Sequence, residues 1–141
     1  MSALERRCFT VAVVLGLIYL ALLPLKPYPF SWLLKPIPML LFAVLAWRAH
    51  PGKTGVFLGA GFVAAAAGDF FLDYGDRDGL FIQALGAFLV NQLAFVAGFA
   101  LLAKGKPWLS WRMLPVTLYS LLLALWLVPA AGAYQVPVAF Y

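Results

Sequence analysis

Two aspartates four residues apart, Asp69 and Asp73, stand in the stretch Gly68-Asp69-Phe70-Phe71-Leu72-Asp73 at the outer end of a long apolar run. On a helix that spacing puts both carboxylates on one face. An acidic side chain inside an apolar run is costly and is by default a functional hypothesis. Burial favours the neutral form of a carboxyl, so an aspartate at the place of Asp69 is suited to hold a proton.

The elements that must position them are those of a membrane protein. Of 141 residues, 65% are hydrophobic and 11% charged, against about a quarter charged in soluble domains. The apolar residues come in long blocks, as in transmembrane helices, and not in the alternation of a membrane barrel. The reading is one all-α, polytopic transmembrane domain over residues 1–141, with five spans and the start of a sixth. A net charge of +5 could suggest nucleic acid in a soluble chain. Here the basic residues cluster at alternate helix ends, so nucleic acid is not an expected partner. The single cysteine, Cys8, excludes an internal disulfide and a cysteine metal cluster.

Glu5, Arg6 and Arg7 precede the apolar run Phe9–Leu25. A charged leader before an apolar run also describes a signal peptide, but no small-x-small cleavage pattern follows, so the run reads as an uncleaved first span. The second span, Phe30–Trp47, is interrupted by Lys35-Pro36-Ile37-Pro38, and its helix is predicted to begin at or just after those prolines. Pro51-Gly52-Lys53 reads as a tight turn. The third span, Thr54–Leu72, is dense in Gly and Ala and is predicted to lie inside the bundle. Asp73 to Gly79 reads as a polar loop.

Leu80–Leu102 is the fourth span and carries Gln83, Asn91 and Gln92. Trp108 and Trp111 read as an interfacial aromatic belt before the fifth span, Met113–Val128. Val136–Tyr141 opens another apolar run too short to cross a bilayer, and reads as the start of a sixth span in a longer protein.

One side of the bilayer collects Arg6, Arg7, Arg48, Lys53, Lys104, Lys106 and Arg112, the other only Lys26, Lys35 and Arg77. This bias predicts a cytoplasmic N-terminus. Counted at about 1.5 Å per residue, Asp69, Lys35 and Gln92 then lie at similar depth in the outer half of the bilayer. Each has a plain reading beside the functional one. Asp69 and Lys35 would make a structural ion pair, Asp73 would be an interfacial carboxylate wetted by headgroup water, and Asn91 and Gln92 would be helix–helix glue. No metal-ligand spacing, phosphate loop or nucleophile elbow is present.

Lys35-Pro36-Ile37-Pro38-Met39-Leu40-Leu41 resembles the KPxPMLL stretch of the YhhN-like membrane family, whose characterised members are lysoplasmalogenases. Gly68-Asp69-Phe70-Phe71-Leu72 resembles that family's G-D-x-x-L motif, and Leu85-Gly86-Ala87-Phe88, leading to Phe95 and Phe99, is spaced like its next segment. Pro137-Val138 and Tyr141 resemble the start of the P-V-x-x-Y helix that follows. The resemblance implies about eight helices in all, so that this chain would cover roughly the first two-thirds. It departs from the family in having Gln92 where a His is frequent and Phe95 where a Tyr is frequent. The family's second acid, in an S-D motif on a later helix, has no counterpart here.

The chemistry so implied is hydrolysis of the vinyl ether of a lysoplasmalogen to a fatty aldehyde and a glycerophospho-base, within a membrane that is the cell (inner) membrane if the protein is bacterial. Asp69 and Asp73 would be catalytic, and Lys35 and Gln92 would bind the substrate. Membrane lipids are the surroundings, and no cofactor or metal is implied. From another class, a proton-coupled transporter also uses intramembrane acids and broken helices, and a non-catalytic membrane homologue would tolerate the departures.

Overall fold

The computed structural model describes residues 2–26, 30–74, 79–104 and 114–136. Helix α1 (Ala3–Leu22) starts with a capping box. The Ser2 hydroxyl accepts from the Glu5 amide at 3.2 Å, and the Glu5 carboxylate accepts from the Ser2 amide at 2.7 Å. Two otherwise orphaned donors of the first turn are thereby satisfied. A 3-10 turn, Leu23–Leu25, extends the apolar span to Leu25.

A helix begins at the prolines, as expected, but it is not the first helical turn of the span. The chain is already helical before them, in the short α2 (Ser31–Leu34), and α3 (Pro36–Ala49) follows directly. Pro36 and Pro38 both fall in the first turn of α3, where a missing N–H costs least. Lys35 is the joint. Its backbone is helical, and its N–H still reaches the Ser31 carbonyl at 3.4 Å. Apolar chain therefore runs from Ser31 to Ala49, with the lysine held inside it.

Gly52, at φ +86°, makes the tight turn into α4 (Lys53–Tyr74), and α5 is Phe81–Leu102. These bounds agree with the third and fourth predicted spans, except that α4 continues through Asp73 and Tyr74, which the sequence placed in a loop. Among the described residues there is no strand, and four helical segments are long and apolar enough to cross a membrane. The fold is an all-α transmembrane bundle.

Packing follows the small residues. α4 lies between α3 and α5, and α3 also packs on α1. As predicted, α4 is the most buried span. A Cβ added to Gly61 would meet the Phe95 ring at 2.6 Å, and one added to Gly68 would meet Phe88 at 2.8 Å. The aromatic rings of α5 thus lie against the backbone of α4, the close approach that small residues permit.

The chain divides into two compact units, Met1–Leu102 and Ala103–Tyr141. In the second, α6 (Leu114–Ala130) is an apolar helix of 17 residues that matches the predicted fifth span. A 3-10 turn at Gly132–Tyr134 follows, and the Gln135 side-chain amide donates to the Pro129 carbonyl at 3.3 Å. Trp108, Trp111 and the run from Pro137 lie outside the described residues.

Candidate functional site

Asp69 and Asp73 are one turn apart on the outer part of α4, and each faces a lysine. Lys35 Nζ lies 3.1 Å from Asp69 Oδ1, and Lys26 Nζ lies 2.5 Å from Asp73 Oδ1. The placement of Lys35 is a direct result of the α2–α3 joint, which sets a lysine into an apolar wall opposite α4. An ammonium and a carboxylate at that depth are tolerable because each has the other.

Asp73 is not the water-wetted interfacial carboxylate of the sequence reading. Its side chain is only 7% exposed, because α4 continues past it and α1 reaches over it. Tyr19 donates its hydroxyl hydrogen to Asp73 Oδ1 at 3.4 Å, and Lys26 donates to both that carboxylate and the tyrosine oxygen, at 2.8 Å to the latter. The other carboxylate oxygen, Asp73 Oδ2, is buried and accepts no hydrogen bond among the described residues. Lys26 lies just beyond the end of the first span. Burial works against its charge, yet the hydrogen bonds with Asp73 and Tyr19 outweigh burial and hold its pKa above the ordinary lysine value.

Tyr19 links the two pairs. Its ring has the Lys26 ammonium 4.9 Å from its centroid and the Lys35 ammonium 6.0 Å from it, within range of cation–π attraction. Tyr19 and Lys26 were not among the residues singled out from the sequence. No local pattern pointed to them, because their partner Asp73 lies 54 and 47 residues further along the chain.

Gln92 is not brought to the site. The buried residues of α5 are Ala84, Asn91 and Gly98, a stripe repeating every seven residues. Gln92 is one position, about 100°, off that stripe and is exposed. Depth alone, on which its selection rested, does not decide direction. Asn91 does face inward, but its Oδ1 is buried without a hydrogen-bond partner among the described residues, so that oxygen is not the helix–helix glue expected of it. Among the described residues no three His, Cys, Asp or Glu side chains gather as a metal site.

A cleft of about 480 Å³ opens beside the Lys35–Asp69 pair. It lies between α1 and α3, with Asp69 of α4 at its outer end, and its walls are apolar apart from Tyr19, Lys35 and Asp69. Its size is that of a small-molecule site, commonly about 300–1,000 Å³.

Fold and site together define a helical membrane protein with one acid–base pair, Lys35–Asp69, at the end of an apolar cleft and a second, Lys26–Asp73, one turn further along α4. The chain belongs to the YhhN family, which matches residues 30–141 and is the family of the lysoplasmalogenases. The match includes Lys35, Asp69 and Asp73, and begins beyond Tyr19 and Lys26. No curated protein and no solved structure matches the chain.

Proposed function

We propose that the protein is a multi-pass membrane hydrolase that cleaves the vinyl ether of a lysoplasmalogen. The observation that carries this reading is the apolar cleft ending at the Lys35–Asp69 pair. It offers a hydrocarbon surface to a lipid chain and, at one end only, a cation for a phosphate and a carboxyl for proton transfer. Membership of the YhhN family supports the same substrate. The bias of the basic residues supports an outer-leaflet position for this end of the cleft.

An acid must hold a proton before it donates one, and Asp69 lies in an ion pair with Lys35. The substrate supplies the change. Its phosphate competes for Lys35, and a carboxylate left without its counterion among apolar groups takes up a proton from the surrounding water, since burial favours the neutral form. Asp69 then gives its proton to the outer vinyl carbon, and the double-bond electrons form the new C–H bond. The carbon beside oxygen becomes an oxocarbenium ion. Water adds to it and loses a proton to Asp73, one helical turn beyond Asp69 on α4. The hemiacetal then breaks its bond to the glycerol oxygen, which takes the proton from Asp73. The hemiacetal hydroxyl returns a proton to Asp69 as the aldehyde forms. One water is consumed and both acids are restored.

The test is release of fatty aldehyde from a lysoplasmalogen by the purified protein in detergent, with Asp69→Asn alongside. Aldehyde from the wild type and a loss of about a hundredfold or more in the variant is the expected result, on the scale of general acid catalysis. Equal release by both would overturn the assignment of Asp69. No aldehyde from either would favour the transporter.

A further inference from the structure

The cleft has a length as well as a polar end. On α1 its lining runs from Leu20 down to Ala12, and on the facing side from Lys35 down to Phe42. These stretches advance about 12 Å and about 10 Å at helical rise. Phe42 closes the lower end, with Phe9 edge-on to it at 6.2 Å and Phe62 tilted against it at 5.7 Å between ring centroids. Ala12, 1% exposed, is packed tight at the same level.

Midway between stands Gly16. It lines the cleft one turn above Ala12 and one turn below Leu20, and a Cβ built on it would meet nothing within 4 Å. Most glycines of α4 behave oppositely, since a Cβ there would strike a neighbour, as at Gly61 and Gly68. Gly16 therefore does not serve close helix packing. Its missing side chain leaves empty space in an apolar wall.

We propose that this slot takes the single hydrocarbon chain of a lysophospholipid and that Gly16 sets the chain length accepted. This rests on the reading above that a lysolipid is the substrate. The occupant follows from charge complementarity. The charged side chains lining the cleft are Lys35 and Asp69, both at its upper end, so a bound amphiphile lies with its phosphate at Lys35 and its chain running down past Gly16 toward Phe42. A side chain grown at Gly16 occupies the path of the lower methylenes. Chains that end above it are unaffected, and longer ones lose their buried contacts. The loss is about fourfold in affinity for each methylene displaced, from the transfer free energy of a buried methylene.

The experiment uses the full chain in detergent with two ligand series. One is lysoplasmalogens that differ only in alkenyl chain length, read as kcat/KM for aldehyde release. The other is the matching saturated ether lysophospholipids, which lack the vinyl group and are read by binding alone. The variants are Gly16→Leu and the milder Gly16→Ala. Gly86→Leu is the control, because Gly86 is exposed on α5, outside the cleft, and a Cβ there also meets nothing within 4 Å. The expected result is a shift of preference toward shorter chains in Gly16→Leu, a smaller shift in Gly16→Ala, and none in Gly86→Leu. An equal effect on all chain lengths, or none, overturns the slot and leaves the cleft to bulk lipid or another helix. Chain-length-dependent binding without aldehyde from any protein keeps the slot and overturns the hydrolase.

Discussion

Lys26 Nζ lies 2.5 Å from Asp73 Oδ1, joining the outer end of the first span to the last turn of α4 across 47 residues of chain. The two partners are unequal. The aspartate side chain is 7% exposed and the lysine 30%. Asp73 therefore depends on Lys26 more than the lysine depends on it. Lys26→Met should lower stability in detergent by about 3 kcal/mol, because a buried carboxylate loses its counterion. The double variant Lys26→Met/Asp73→Asn should regain much of that loss. Thermal unfolding of the four proteins of this cycle gives the coupling directly.

The same pair has a pH signature. Lys26 binds its proton more tightly in the folded protein than when unfolded. Its contribution is then fully present below the ordinary lysine pKa of about 10.4 and is lost as pH rises through the higher folded value. The difference in melting temperature between wild type and Lys26→Met should stay level through neutral pH and shrink only above about pH 10.4. A difference that shrank at neutral pH would mean that the lysine is already losing its proton there.

The four long spans were legible because apolar block length is nearly sufficient to define a membrane helix, and burial of α4 followed from its Gly and Ala content. Meeting of Lys35 and Asp69 was anticipated as one reading, from depth and opposite charge. What composition could not supply was azimuth. Gln92 shares the depth of the site but turns away, since direction around α5 is fixed by the stripe Ala84, Asn91, Gly98. Asp73 was placed in a loop because acids crowd the stretch after it, yet Tyr19 of α1 and Lys26, just beyond the 3-10 turn that follows α1, keep it in helix and out of water. Those partners are distant in sequence and precede the residues that carry the family match, so neither local pattern nor resemblance pointed to them.

Lys35 separates binding from chemistry. Lys35→Gln keeps a donor of similar reach but removes the charge, and should raise KM for a lysoplasmalogen by roughly tenfold to a hundredfold, the range for a hydrogen bond to a charged group. Asp69→Asn should instead lower kcat, since a carboxamide cannot donate the proton. Kinetics of the two variants on one substrate check this. A fall in kcat alone for Lys35→Gln would remove the phosphate from its role.

Gly68 precedes the key acid, and its part is packing. A side chain there would enter the Phe88 ring of α5, at 2.8 Å from the first added carbon. Gly68→Leu should therefore cost about 1–3 kcal/mol as overpacking. Part of that should return in Gly68→Leu/Phe88→Ala, where the added volume meets a vacated one. Such exchange is expected only if the two residues share space, because distant substitutions add independently. Activity supplies the second readout. If Gly68 serves only the approach of α4 and α5, the double variant should recover aldehyde release along with stability. Recovery of stability without activity would mean that a side chain at Gly68 also disturbs Asp69, its immediate neighbour on α4. Melting temperature and initial rate, measured on the same preparations of the three variants and the wild type, decide between these.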